Sequence, residues 1–206
     1  MPKIVDHEAR RAEIAAALRR VIQREGMAGT SVRTVAAEAG LSTGAMRHYF
    51  ATQAELLAFA LEEISTDVAR RITSRMAAWG EAPGVEVLVA FLEEFVPLDG
   101  TRRVEFEVWL ELVMLARTDP ALRPIVLGAH RGLHEVCGLV VAAARGQREG
   151  PVPVRPVDEL HGLLDGLSLH LALYPAETSR ARVRAALRSH LEAVAAEPTW
   201  PTRPSM

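Results

Sequence analysis

Apolar side chains recur at helical spacing along almost the whole chain. The first stripe is short and comprises Ile14, Leu18, Val21 and Ile22. A second, much longer stripe comprises Leu57, Leu61, Ile64, Val68, Ile72, Met76 and Trp79. Intervals of three and four residues place each set on one face of a helix. No segment alternates apolar and polar residues long enough to indicate a strand, so the sequence predicts an all-α fold.

Capping residues, glycines and prolines divide the chain into about nine helices. The first ends at Gly26, and the others are predicted over 32–39, 43–49, 53–79, 83–96, 102–117, 120–145, 157–173 and 179–195. Thr52 and Glu55 have the spacing of a capping box at the start of the long helix. The predicted domains are residues 1–50, residues 51–197 and a frayed tail at 198–206.

Composition excludes several other classes of protein. The chain has 206 residues, of which 49% are hydrophobic and 24% charged, and this composition is typical of a soluble globular protein. Its single cysteine, Cys137, leaves no partner for an intramolecular disulfide or a multi-cysteine zinc site. The N-terminal region lacks the apolar core of a secretion signal, and no run reaches the length of a membrane span. We therefore expect a cytoplasmic protein.

The turn Ala39-Gly40-Leu41-Ser42 joins two of the short predicted helices in a helix-turn-helix pattern. Gly40 allows a positive φ, and Ser42 can cap the second helix. That helix begins with small side chains and ends with polar or aromatic ones, at Arg47-His48-Tyr49. Such a helix fits a DNA major groove roughly 12 Å wide, where arginine can bind a guanine edge. A plain helical hairpin would show the same turn.

Charge is distributed unevenly between the two parts of the chain. Residues 1–50 carry eight basic and five acidic side chains, a net charge of +3, whereas the whole chain has a net charge of −2. The remainder therefore has a net charge of −5. A positive head on a negative body favours attraction to phosphate, although an ordinary solvated face could have the same charge.

Residues 30–50, TSVRTVAAEAGLSTGAMRHYF, resemble the signature of the TetR family of transcriptional regulators. The resemblance implies a three-helix DNA-binding head, a larger helical ligand-binding body and a homodimer. In two places the chain departs from the family pattern, with Arg47 in place of tyrosine and Gln53 in place of a phosphate-binding lysine. The expected DNA-contacting residues are Arg33, Thr34, Ser42, Thr43, Gly44, Ala45, Arg47, His48, Tyr49 and Thr52, while Leu41 and Phe50 are expected to pack inward.

The body, especially residues 163–170, resembles the BetI-like subgroup of the family. Large apolar side chains in its middle helices indicate either a ligand cavity or an ordinary core. The candidate ligand-binding residues are Phe91, Phe95, Trp109, Val113, His134 and Leu167. Acidic residues around Trp109 leave a cationic ligand open, although their spacing points them to other faces of the helix.

The last two predicted helices are apolar on more faces than one core contact requires. Gly162 and Gly166 would let another helix approach closely. The predicted dimer-interface residues are Leu160, Leu163, Leu167, Leu171, Val183, Leu187 and Leu191. The alternative is that the first of these two helices is simply central to the monomer.

Motifs for catalysis are not found. His130 and His134 have the spacing of two metal ligands, but the sequence offers no third ligand and no catalytic glutamate beside them. Cys137 has no activating neighbour. We therefore expect no enzyme, metal or cofactor.

The resemblance implies a ligand-responsive repressor whose partners are a palindromic DNA operator, a small-molecule effector and a second copy of the chain. Its mechanism would be release of DNA when the effector shifts the long helix. The alternatives are an all-helical metal-dependent enzyme, which would show turnover, and a helical protein-interaction adaptor, which would show no salt-dependent DNA affinity.

Overall fold

The computed structural model describes residues 7–26, 29–80, 82–147 and 151–196. Within these residues it contains nine α-helices and no strand, which confirms the predicted all-α class. The helices are α1 His7–Glu25, α2 Val32–Glu38, α3 Thr43–Arg47, α4 Gln53–Met76, α5 Val85–Leu92, α6 Gly100–Leu115, α7 Arg123–Ala144, α8 Val154–Leu173 and α9 Arg180–Ala196. Single 3₁₀ turns over Glu93–Phe95 and Pro120–Leu122 follow α5 and precede α7.

Proline positions account for the main differences from the predicted helix boundaries. Pro83 precedes α5 instead of starting it, because Gly84 is extended and forms the N-cap. At α8 the helix begins at Val154, three residues before the predicted start, with Pro156 in its first turn. Proline is tolerated there because backbone N–H groups of a first turn have no partner within the helix. The predicted tail at 198–206 lies outside the described residues.

The chain forms two compact units. The first comprises Met1–Arg70 and Asp99–Ala129, and the second comprises Arg71–Leu98 and His130–Met206. Side chains from α1, α2, α4 and α6 share one apolar cluster in the first unit. The start of α4 and one face of α6 therefore complete the core beneath the first three helices.

One arginine covers part of that core at the first unit's surface. The guanidinium carbon of Arg11 lies 4.4 Å from the ring centroid of Phe59 and 5.5 Å from that of Phe50. A cation over an aromatic face is attracted by the ring quadrupole. Arg11 thus adds a cation–π contact between α1 and the aromatic side chains that flank the start of α4.

The second unit is built around α5, α8 and α9. Its core includes the fully buried side chains of Leu160, Val183, Leu187 and Leu191, and Leu171 is 7% exposed. These five residues were predicted at the dimer interface, but within one chain they already pack against each other and against α5. Leu163 and Leu167 are partly buried against the same cluster. Because these five side chains are enclosed within one chain, little of their surface is left for a second copy, and the dimer interface stays a prediction.

Two adjacent buried carboxylates lie in the 3₁₀ turn after α5. Glu93 accepts hydrogen bonds from Arg180 Nε at 2.8 Å and from Arg184 at 2.7 Å, both on α9. The Glu94 carboxylate accepts one from Arg75 at 2.7 Å, at the end of α4. Buried carboxylates are costly unless they are paired, and here each has an arginine partner. These pairs attach the end of α5 to two other helices of the second unit.

Among the described residues, one helix passes a length and composition test for crossing a membrane. It covers Pro120–Ala144, and 17% of its most apolar window is buried. Core helices of soluble proteins also pass this test.

Replacing Glu93 by Gln should destabilise the second unit. Burial by itself would raise the pKa of Glu93, but the hydrogen bond from Arg180 and the charge of Arg184 outweigh it and hold the pKa below the ordinary 4.5. The stabilisation is therefore present above pH 4.5 and is lost as the pH falls through the lowered pKa. We expect Glu93→Gln to lower the free energy of unfolding by about 1–3 kcal/mol at neutral pH.

Urea denaturation at neutral and acid pH measures this effect. The control is Glu177→Gln, which removes a carboxylate from the exposed segment between α8 and α9. Equal stability of the two variants at neutral pH would contradict a stabilising role for the Glu93 pairs.

Candidate nucleic-acid interface

A reciprocal pair of hydrogen bonds holds the start of α2. Ser31 Oγ accepts from the backbone N–H of Thr34 at 3.1 Å, and Thr34 Oγ1 accepts from the backbone N–H of Ser31 at 2.9 Å. This is a capping box in which threonine takes the place of glutamate. The Thr34 hydroxyl also donates to the carbonyl of Gly29 at 3.0 Å. Thr34 was predicted to contact DNA, and the structure places its hydroxyl within this cap.

The turn between α2 and α3 has the predicted geometry. Gly40 has φ +67°, a conformation that glycine adopts without steric cost. Leu41 is half-buried against the first unit's core, as expected, and its N–H donates to Ala36. Ser42 Oγ accepts from the Ala45 N–H at 3.1 Å and caps α3. Backbone and cap together set the direction in which α3 leaves α2.

Helix α3 is amphipathic over a very short length. Met46 is fully buried and Phe50, just after the helix, is 3% exposed, so both point into the first unit's core. The predicted inward packing of Phe50 is confirmed. The exposed residues on the other side are Ser42, Thr43, Gly44, Arg47 and His48, while Ala45 and Tyr49 are half-buried. Regular helix ends at Arg47, two residues before the predicted end.

Ion pairing separates the arginines of residues 1–50 into two groups. Arg20 and Arg24 both bind Glu38, at 2.6 and 2.9 Å. The hydrogen bonds from Arg20 and then Arg24 hold the pKa of Glu38 below its ordinary value. No carboxylate of the described residues lies within ion-pair distance of Arg33 or Arg47, and both side chains are exposed. Arg33 on α2 and Arg47 on α3 are therefore available to a ligand.

Three hydrogen bonds define the start of α4 and connect it to the residues just before α2. Thr52 Oγ1 accepts from the Glu55 N–H at 3.1 Å, which confirms half of the predicted capping box. The Glu55 carboxylate accepts instead from the Ala51 N–H, at 2.8 Å. Gln53 Nε2 donates to the carbonyl of Thr30 at 3.1 Å. Gln53 thus connects α4 to the residues that lead into α2.

The candidate ligand-binding residues are divided between the units. In the second unit, the Phe91 ring lies 4.8 Å from Trp79 and 5.7 Å from Phe95 in edge-to-face contacts. Leu167 packs against the core of that unit. His134 Nε2 lies 2.9 Å from an Asp158 oxygen.

Trp109 and Val113 belong to the first unit, where the ring of Trp109 lies 5.5 Å from that of Phe106.

Sequence reasoning missed one polar group in the second unit, the buried indole N–H of Trp79. It has no hydrogen-bond partner among the described residues. No sequence signal distinguished Trp79 from the other members of its apolar stripe.

The chain's one thiol has low reactivity. Cys137 is fully buried in the second unit, and this burial raises its pKa to about 12. Thiolate is the reactive form, so Cys137 is poorly suited to act as a nucleophile. Among the described residues no group of three histidine, cysteine or acidic side chains could hold a metal ion.

The helix-turn-helix geometry, the exposed α3 face and the available arginines define a class, the helix-turn-helix DNA-binding regulators. Comparison with known proteins gives the family. The family model described as "Bacterial regulatory proteins, tetR family" matches residues 14–59. A second model, "BetI-type transcriptional repressor, C-terminal", matches residues 84–196. The chain belongs to the TetR family of transcriptional regulators and is not an enzyme.

Relatives and solved structures extend over the full length. The HTH-type transcriptional regulator PksA of Bacillus subtilis is 36% identical over 206 residues, which is 98% of each chain. A transcriptional regulator from Rhodococcus sp. Rha1 superposes with a TM-score of 0.74 and 27% identity, over 91% of this chain and 99% of that one. The multidrug binding protein EbrR complexed with imidazole gives a TM-score of 0.68 and 28% identity, over 92% and 97%.

Two alanine substitutions at neighbouring glycines should have opposite effects on stability. Gly40→Ala places a side chain at φ +67° and should cost about 1–2 kcal/mol. At Gly44 an added Cβ would lie 3.9 Å from Ser42 Oγ, an ordinary contact, and helix propensity should gain up to about 1 kcal/mol. Urea denaturation followed by circular dichroism compares the two variants. A Gly40→Ala variant as stable as the wild type would show that the turn does not need its left-handed residue.

Proposed function

We propose that this regulator is a cytoplasmic repressor that binds a palindromic operator as a homodimer and releases it when a small molecule binds. In this proposal residues 1–50 form the DNA-binding domain and residues 51–197 form the ligand-binding and dimerisation domain. The observation that carries it is the exposed, cationic face of α3, whose arginine is not used within the described structure.

Contacts within residues 1–59 support different roles for the predicted DNA-binding residues. Arg47 can bind a guanine edge with its two-pronged guanidinium, and Arg33 can reach a phosphate. Gly44 and the small Ala45 allow the start of α3 to approach the groove. The remaining exposed or half-exposed candidates are Ser42, Thr43, His48 and Tyr49. The Thr34 and Thr52 side chains act as helix caps and position the contacting helices.

Phosphate binding at the start of α4 would depend on the helix rather than on a side-chain charge. Gln53 is neutral, and its amide is bonded to Thr30. The free backbone N–H groups of a helix N-terminus attract anions. Because neutral Gln53 stands where the family pattern has a lysine, the affinity for phosphate and its dependence on salt should both be lower. Discrimination between sequences then falls mainly on α3.

A second copy is needed because α3 is short. Two heads held by one dimer bind two half-sites at high effective concentration. On α8, Gly162, Gly166, Leu169 and Leu173 recur at helical spacing, and no atom lies within 4 Å of a Cβ built at either glycine. Leu169 and Leu173 are exposed. We assign the interface to this face of α8, together with the partly buried Leu163 and Leu167.

Effector binding belongs to the body in this proposal. The match of residues 84–196 to the BetI-type C-terminal model and the complex of EbrR with imidazole support a small-molecule ligand. The candidate contacts remain Phe91, Phe95, His134 and Leu167 in the second unit and, separately, Trp109 and Val113 in the first. The unpartnered Trp79 indole is added as a hydrogen-bond donor. Linkage requires that an effector which weakens DNA binding be bound less tightly by the DNA complex.

Selection from a random duplex pool tests operator binding. The wild-type protein should enrich an inverted repeat, and Arg47→Ala should lose about 1–3 kcal/mol of discrimination at one base pair in each half-site. Arg33→Ala should weaken all sequences alike and reduce the salt dependence of binding.

Arg10→Ala is the matched control, since Arg10 is paired with Glu13 on the same head. Failure of the wild type to enrich any inverted repeat at moderate salt would overturn the operator proposal. Uniform weakening by Arg47→Ala would reassign this arginine to a phosphate contact.

Leu173→Glu should convert the dimer to a monomer while the helical content is retained. A charge at an apolar interface must lose its hydration without gaining a partner. Val87→Glu is the control, because Val87 is 44% exposed on α5 and Leu173 is 55% exposed on α8. Sedimentation velocity should show two-fold lower mass for Leu173→Glu alone. Equal masses for both variants would place the interface elsewhere.

A further inference from the structure

Three imidazoles meet where α7 and α8 face each other in the second unit. His130 and His134 lie one turn apart on α7, and His161 lies on α8. The ring centroid of His161 is 4.6 Å from that of His130, in a stacked arrangement, and 5.8 Å from that of His134. The expected role of His134 in ligand binding does not explain why three histidines gather here.

His161 is enclosed, whereas its neighbours are accessible. It is 5% exposed, and His130 is exposed. Two carboxylates of α8 complete the group. Asp165 Oδ2 lies 3.7 Å from His161 Nε2, and Asp158 Oδ1 lies 2.9 Å from His134 Nε2. The charge of Asp165 also acts on the buried thiol of Cys137 on α7, whose pKa is raised to about 12, mainly by burial.

The cluster does not form a metal centre as it stands. No three potential ligands among the described residues are placed to hold one ion. Imidazole can otherwise gain a proton, and histidine does so close to neutral pH. The chemistry available to the three rings is therefore proton binding.

We propose that the enclosed His161 ring forms a proton-sensitive latch, which packs α8 against α7 when the ring is neutral and loosens this contact when the ring becomes charged. Stacked neutral rings fill the space between the helices without a net charge. A proton on His161 places a charge in an enclosed site, against the stacked ring of His130. Asp165 offsets part of this cost from the same helix, whereas Asp158 of α8 faces His134 of α7.

The direction of the pKa shift of His161 supports the latch. Burial lowers the pKa of His161 below the ordinary 6.5, the charges of Asp165 and Asp158 oppose this shift, and those of His130 and His134 reinforce it. The stabilisation is then complete above pH 6.5 and is lost as the pH falls through the lowered pKa. Burial raises the pKa of Asp165, so protonation of this carboxyl opposes the loss as the pH falls.

Thermal unfolding between about pH 5 and about pH 7.5 tests the latch. The wild-type Tm should fall by roughly 2–4 °C as the pH drops through the histidine range. His161→Gln, which cannot be protonated, should show a much smaller fall. The control is His170→Gln, an exposed histidine of the same helix, which should behave like the wild type. Equal pH dependence in all three proteins would overturn the proposal.

Proton NMR of the wild type keeps the test independent of the variant's folding. The ring protons of His161 should titrate below the ordinary 6.5, with chemical shifts in α7 and α8 following the same midpoint. Titration of His161 without shifts in the two helices would show that the enclosed ring is not coupled to packing.

The latch would make protons a second input to the regulator, and this consequence rests on the proposed function. Operator affinity measured at the two ends of the pH range should change less in His161→Gln than in His170→Gln. Absence of operator binding at both ends would count against the repressor, whereas the unfolding and NMR results would still decide the latch.

Discussion

A helix of five residues cannot hold its own shape in water, because one hydrogen-bonded turn costs more backbone entropy than it returns. The DNA-binding face of this protein depends on such a helix. Ser42 caps α3 at one end, and the fully buried Met46 anchors its inner side. The left-handed Gly40 sets its direction from α2. The position of α3 is therefore set by the residues around it. The core to which α4 and α6 contribute helps to hold α3 in place.

The same surroundings decide which charges can act. Net charge suggested a positive head, yet Glu38 binds two of its arginines and Glu13 binds a third. Arg11 lies over the Phe59 ring. Arg33 on α2 and Arg47 on α3 are exposed and have no such partner among the described residues, so individual pairings describe the cations of this region better than the sum of charges does.

Ion pairs serve a different purpose in the second unit. Glu93 and Glu94 are buried, and arginines from α9 and α4 bind them. Local spacing could not show this arrangement, since Glu93 and Arg184 are 91 residues apart. For the same reason, Leu187 and Leu191 looked available to a second copy when only their helix was considered. Packing against α5 and α8 encloses them, whereas Leu169 and Leu173 of α8 stay exposed.

By itself, the sequence determined the all-helical class, the turn at Gly40, the caps at Ser42 and Thr52 and the inward direction of Phe50. These features depend on residues within one or two turns of each other, where spacing and backbone preference are decisive. Only the tertiary structure decided that the Thr34 hydroxyl closes a cap, that Gln53 reaches Thr30 and that His161 lies between two other histidines. Those outcomes depend on which distant side chains meet, and burial changes the free energy of a polar group more than its neighbours in the chain do.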